Sequence, residues 1–157
     1  MKNQIFSLEL LSLLRAKGID AKLTFIGYIL EQDYYDKIVG MIESLNLSDA
    51  VSMLPSDTPK DRCFETVDCL LLPSFVEGLS LVALESQAAG IPCVASTGVP
   101  EDVNMGLCKY VSLKDKERWL DAIMEQAVSN QLPDREKLKN LDIQKWIEEI
   151  ARLYNAK

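Results

Sequence analysis

Asp68-Cys69-Leu70-Leu71-Leu72-Pro73-Ser74-Phe75-Val76-Glu77-Gly78-Leu79-Ser80-Leu81-Val82-Ala83-Leu84-Glu85-Ser86-Gln87-Ala88-Ala89-Gly90-Ile91-Pro92-Cys93-Val94-Ala95-Ser96-Thr97-Gly98-Val99-Pro100-Glu101 decides the fold. It reads as strand, polar loop, helix, strand, polar loop. Cys69 to Leu72 and Pro92 to Ala95 are apolar without alternation, the pattern of strands covered on both faces. The helix spans 80–89 and stops at Gly90. Glu85 stands out. With Leu81 as origin at about 100° per residue, Leu84, Ala88, Ala89 and Val82 flank it, and Ala83 and Gln87 fall on the outward side. A carboxylate on a packed face is costly unless something pairs with it. Glu85 is therefore expected to point along the helix toward a cleft and a polar ligand.

Working outward, residues 3–17 form an apolar helix with Glu9 and Ser12 on a narrow polar strip, stopped by Gly18. Ala21 to Ile26 read as a strand entering Gly27. Residues 31–45 make an amphipathic helix with Tyr35, Ile38, Val39 and Ile42 on one face. Val51 to Leu54 is a short strand before the turn-rich Pro55 to Pro59, and 60–66 a short helix. Leu107 to Val111, interrupted by Lys109, reads as an edge strand. Residues 114–128 carry Trp119, Leu120, Ile123 and Met124, and 130–133 break that helix. Residues 142–154 place Ile143, Trp146, Ile147, Ile150 and Leu153 on one stripe, a packing face for this domain or a neighbouring one. Helices alternating with apolar strands indicate an α/β fold, a Rossmann-like parallel sheet with helices on both faces. Ligands bind such folds beyond the carboxyl ends of the strands. Loops 73–79 and 96–101 should meet there.

The 157 residues suit one domain, 1–157. Net charge is −7, with the acid excess in the first hundred residues. That argues against nucleic acid as a partner, since a phosphate backbone needs a basic surface, but not against a single nucleotide. No transmembrane segment is present, and the apolar run 5–14 reads as a buried helix rather than a signal peptide. The four cysteines form no C-x-x-C pair, and there is no histidine. Reduced, buried thiols in a cytoplasmic protein are expected, with no metal site. Without histidine, any chemistry falls to carboxylates.

At the rim, Glu77-Gly78-Leu79-Ser80-Leu81 opens a helix, where free N–H groups and the dipole favour an anion. Gly78 would let a ligand approach the backbone. The bland alternative makes Ser80 an N-cap and Gly78 a turn residue. Neither a G-x-G-x-x-G nor a P-loop pattern is present.

Residues 72–96 closely resemble the signature of the glycosyltransferase group 1 family, the GT4-type retaining transferases of GT-B fold. Its two glutamates, separated by seven residues, are matched by Glu77 and Glu85. The flanking Pro73-Ser74, Glu77-Gly78, Ala88-x-Gly90-x-Pro92 and Gly98-x-Pro100-Glu101 also match. Lys2-Asn3, Ala21 to Gly27 and the terminal helix with Trp146 resemble further parts of the family's C-terminal donor-binding domain. The resemblance implies a nucleotide-diphosphate sugar as ligand, UDP- or GDP-linked, and no cofactor or metal. Glu77 would face the sugar and Glu85 the ribose hydroxyls. Gly78 and the N–H groups of Leu79, Ser80 and Leu81 would hold the diphosphate, and Lys2 would neutralise it. Catalysis would rest on Glu77 and Lys2.

Three departures are visible. The family's first strand and the arginine after it lie before Lys2, outside this chain, leaving either an open gap in the sheet or a rearranged one. Val51 to Leu54 runs into Pro55 where the family has glycine. The N-terminal acceptor-binding domain, which carries a histidine in many relatives, is absent. The expected function is donor binding in a retaining glycosyltransferase of polysaccharide or lipopolysaccharide biosynthesis. The full-length protein would be the active hexosyltransferase and the isolated chain inactive, with any contact at the inner membrane made by the part outside it. A non-catalytic nucleotide-binding module or decayed fragment is the alternative. A sugar-nucleotide epimerase is disfavoured, because the glycine-rich first turn is missing.

Overall fold

The computed structural model describes residues 2–129, 131–134 and 136–137. The expected terminal helix 142–154, with Trp146, lies outside the described residues. Helices and strands alternate: α1 (Gln4–Ala16), β1 (Leu23–Ile26), α2 (Gln32–Ser44), β2 (Val51–Leu54), α3 (Lys60–Glu65), β3 (Leu70–Leu72), α4 (Leu81–Ala88), β4 (Cys93–Ser96), a 3-10 turn at Glu101–Val103, β5 (Cys108–Val111) and α5 (Lys116–Ala127). Every expected element inside the described range is present, with ends displaced by a residue or two. Gly18 and Gly90, at φ of +81° and +80°, close α1 and α4 in a left-handed conformation that side chains resist.

All strand pairs are parallel, and they form two pieces. β1 pairs with β2, and β3, β4 and β5 follow in that order. Among the described residues no strand joins β1 to β3, so the strands stand as two separate parallel sheets. Helix α1 spans the two pieces. Its stripe Phe6, Leu10 and Leu14 packs with Val94, Val111, Trp119, Leu120 and Ile123. Its other stripe, Leu8 and Leu11, packs with Ile38, Leu47 and Ala50. The Phe6 and Trp119 rings meet edge to face at 5.3 Å, fixing α1 against α5. On the opposite face of β3–β5, Leu72, Cys93 and Ala95 pack against Ala83 and Leu84 of α4 and against Val99, Val103 and Met105. Burial of β3 and β4 on both faces, read from their lack of alternation, is what the two clusters display.

Two helical faces differ from expectation. On α2 the packed stripe is Tyr34, Ile38, Met41 and Ile42, continued by Leu45 just after the helix, so Tyr35 and Val39 are not its centre. Met124 of α5 is exposed, although Trp119, Leu120 and Ile123 are buried as expected. β5 is the sheet edge, and its Lys109 pairs with Glu125 of α5 in solvent.

Candidate functional site

The site lies at the carboxyl ends of β3 and β4, where two loops are laced together. Ser96, the last residue of β4, donates its hydroxyl to the Ser74 carbonyl. The Glu77 amide donates to the Gly98 carbonyl at 3.0 Å, and the Gly98 amide to Ser96 Oγ at 3.2 Å. Gly98 is needed for this contact. A Cβ there would run into the Phe75 carbonyl and come within 3.1 Å of the Ser74 oxygen. Neighbouring strand ends in one parallel sheet bring the loops side by side, as the chain order implied.

Glu77 sits in this frame with its side chain 14% exposed. Its Oε1 accepts from Lys2 Nζ at 2.7 Å and from Ser74 Oγ at 2.6 Å. Burial pushes its acidity toward the neutral form, but the Lys2 and Ser74 hydrogen bonds and the Lys2 charge prevail. The carboxyl is held below its usual range. Lys2 lies just before α1. Asn3, at the start of that helix, adopts φ 57° and ψ 49° and turns the chain there. Asparagine is among the few side chains that tolerate this conformation.

Beyond Glu77 the backbone is open. A Cβ on Gly78 would meet nothing within 4 Å, so space lies above it. The amides of Leu79, Ser80 and Leu81 donate to no acceptor among the described residues, as expected at a helix start. Leu79 and Leu81 are exposed. Ser80 is 3% exposed and sits at the N-cap position, but its hydroxyl makes no capping bond and finds no partner among the described residues. The simple N-cap explanation of Ser80 is thus not realised.

The expected phase of α4 is wrong. The buried residues are Ala83, Leu84, Ser86 and Gln87, while Leu81 is 62% exposed and Ala88 is also exposed. Glu85 is half-buried on the stripe of Leu81 and Ala88, at the border of the packed face and not its middle. The cause is Gln87. Its amide donates to the Val103 carbonyl at 2.8 Å and the Ala83 carbonyl at 2.9 Å. Its oxygen accepts from the amides of Met105 at 2.8 Å and Leu107 at 3.2 Å. Four bonds make burial of this polar residue favourable, and the helix turns to suit them.

Lys2 and Glu77 are thus brought into contact, with Gly78, Leu79, Ser80 and Leu81 beside them on one rim, and Glu85 one turn along α4 from Leu81. Sequence reasoning gave no role to Asn3, Ser74, Ser96 or Gly98. The available signal was the placement of small polar residues and a glycine directly after two apolar strands. Among the described residues no group of three or more His, Cys, Asp or Glu side chains could hold a metal ion, and no helix is long and apolar enough to cross a membrane.

Residues 1–144 match the family described as glycosyl transferases group 1, and the chain belongs to that family. EpsF of Bacillus subtilis (strain 168) is 29% identical over 164 residues, covering 99% of this chain and 42% of that protein. The solved structure of Anabaena HepE in complex with UDP-glucose superposes with a TM-score of 0.78 at 16% identity, over 99% of this chain and 46% of that one. WaaG, a glycosyltransferase involved in lipopolysaccharide biosynthesis, gives 0.72 at 17% identity, over 97% and 43%. The chain therefore spans less than half the length of these proteins, and its α/β fold is that of one half of a GT-B glycosyltransferase.

Proposed function

We propose that this member of the glycosyl transferases group 1 family is the donor-binding half of a retaining glycosyltransferase, and that its rim takes a nucleoside-diphosphate sugar. One observation carries the reading: an anchored carboxylate, Glu77, and a cation, Lys2, flank a helix start whose first amides donate to no acceptor among the described residues. These are the three groups such a donor needs. The amides of Leu79, Ser80 and Leu81 take the diphosphate, with Gly78 leaving room for it. Lys2 neutralises the phosphate and stabilises charge on the departing diphosphate as the bond from sugar C1 to oxygen breaks. Glu77 faces the sugar. Glu85 accepts from the ribose hydroxyls, both of which one carboxylate can engage. HepE, of like fold, was captured with UDP-glucose, which makes a UDP-linked sugar the first donor to try, ahead of a GDP-linked one.

The acceptor would be bound by the remainder of the protein, facing the exposed apolar side chains Phe75 and Val76 of this rim. The similarity to WaaG favours a glycan or lipid-linked acceptor of surface polysaccharide assembly. The test is calorimetric titration of this chain with UDP, GDP, ADP and UDP-glucose. One nucleotide should bind, and Glu85→Ala should weaken it by about tenfold or more through loss of charge-assisted hydrogen bonds. If none binds, the donor assignment is wrong.

A further inference from the structure

We propose that Ser74, locked by the loop around Gly98, is the positioning residue for Glu77, clamping one carboxylate oxygen so that the other is presented to the donor sugar. For the identity of that sugar ligand this rests on the donor-binding reading; the clamp itself does not.

The geometry is asymmetric. Both donors, Lys2 Nζ at 2.7 Å and Ser74 Oγ at 2.6 Å, converge on the same oxygen, Oε1. Among the described residues no donor is recorded on Oε2. The carboxylate is therefore fixed in direction, with one oxygen committed and one available. The two clamps differ in kind. Lys2 is 52% exposed at the end of a long side chain. Ser74 is fully buried, and the hydrogen bonds joining Ser74, Glu77, Gly98 and Ser96 form a closed ring. A serine buried only for packing would satisfy its hydroxyl on a backbone carbonyl, which is the commonest partner. This one gives it to a carboxylate.

The difference has a consequence on donor binding. If the diphosphate draws Lys2 away, Glu77 loses its hydrogen-bonded cation while staying largely buried. Burial then favours the neutral acid. Ser74 remains, and its hydroxyl is then the side-chain hydrogen bond that keeps Glu77 ionised and aimed. Lys2 can thus be handed from carboxylate to phosphate without the carboxylate rotating.

The test uses this chain labelled with carbon-13 at the glutamate carboxyls, the Glu77 signal being identified by its loss in Glu77→Gln. Titration is followed with and without saturating UDP, and UDP and UDP-glucose affinities are measured by calorimetry. Ser74→Ala should move the Glu77 titration to higher pH, and by more when UDP is bound. It should also lower the advantage of UDP-glucose over UDP by about tenfold. Ser74→Thr, which keeps the hydroxyl, should restore both readouts. Ser74→Cys, with a weaker donor of similar size, carries the same comparison should alanine not fold. An unmoved Glu77 titration in Ser74→Ala overturns the proposal, whatever binds. If the wild-type chain binds neither UDP nor UDP-glucose while Ser74→Ala still moves Glu77, the clamp stands and the donor reading falls.

Discussion

Replacing Gln87 by Met removes four hydrogen bonds while leaving the buried volume nearly unchanged. Methionine is unbranched and of similar length, so the cavity term is small and the cost is that of orphaned polar groups. Three of the four partners matter most. The Ala83 carbonyl is a helical acceptor in its own right, whereas the Val103 carbonyl and the Met105 and Leu107 amides look to Gln87. Val103, Met105 and Leu107 are all buried, so water does not replace the lost partner without local opening. At about 1–3 kcal/mol for each unsatisfied buried group the nominal cost is about 3–9 kcal/mol, and relaxation of the segment brings it toward the lower end. An expected loss of about 3–5 kcal/mol is a large share of a typical domain's stability. Urea unfolding should show a lower midpoint with an unchanged slope. Hydrogen exchange should show the Met105 and Leu107 amides losing protection ahead of those in β4. The effect should reach the site, since the same connection between β4 and β5 carries Gly98, the acceptor of the Glu77 amide. A cost below about 1 kcal/mol, with both amides still protected, would mean that Gln87 does not set the phase of α4.

Gly98→Ala should separate the two loops, because the new Cβ meets backbone and not a flexible side chain. Its signature is a loss of UDP-glucose affinity greater than the loss for UDP, measured by calorimetry. The lowered pKa of Glu77 gives a pH dependence of defined sign. Its ionised form stabilises the fold above the unfolded-state value of about 4.3, and that contribution is lost as pH falls through the lower folded-state value. Lys2→Met should therefore lower the urea midpoint at pH 7, and the gap to wild type should close in acid once Glu77 is protonated. A gap independent of pH would exclude the Lys2–Glu77 pair as its source. Burial pushes the Cys69 thiol up to about 12, and the hydrogen bond with Cys108 together with burial raises that of Cys93. Both thiols should resist a disulfide reagent at pH 8 in the folded chain and react on unfolding, as read by mass after labelling.

What could be read from the residues, and what could not, divides along the range of the interactions involved. The strands β3 and β4 follow from short apolar runs, α1 and α5 from their stripes, and the meeting of loops 73–79 and 96–101 from parallel chain order. These depend on periodicity and connectivity, which a single sequence carries. Glu77 and Lys2 were nominated through resemblance and are in contact. The phase of α4 was misread because Leu81, Val82, Ala83, Leu84, Ala88 and Ala89 leave almost no polar side to orient the helix. Hydrophobicity alone then favours burying Leu81 and turning Gln87 outward. The outcome is decided by backbone groups at residues 103–107, which line up a donor and acceptor pair matching one primary amide. Ser74 is a similar case: in sequence it is a small polar residue after a proline, and only the fold puts it beneath a carboxylate. Burying Gln87 also has a use that burying Leu81 would not. It leaves exposed Leu81 and half-buried Glu85 on one stripe leading from the helix start. Under the donor-binding proposal, a polar residue sealed inside the domain thereby keeps half-buried Glu85 at the border of the packed face, on the stripe where the ribose would lie.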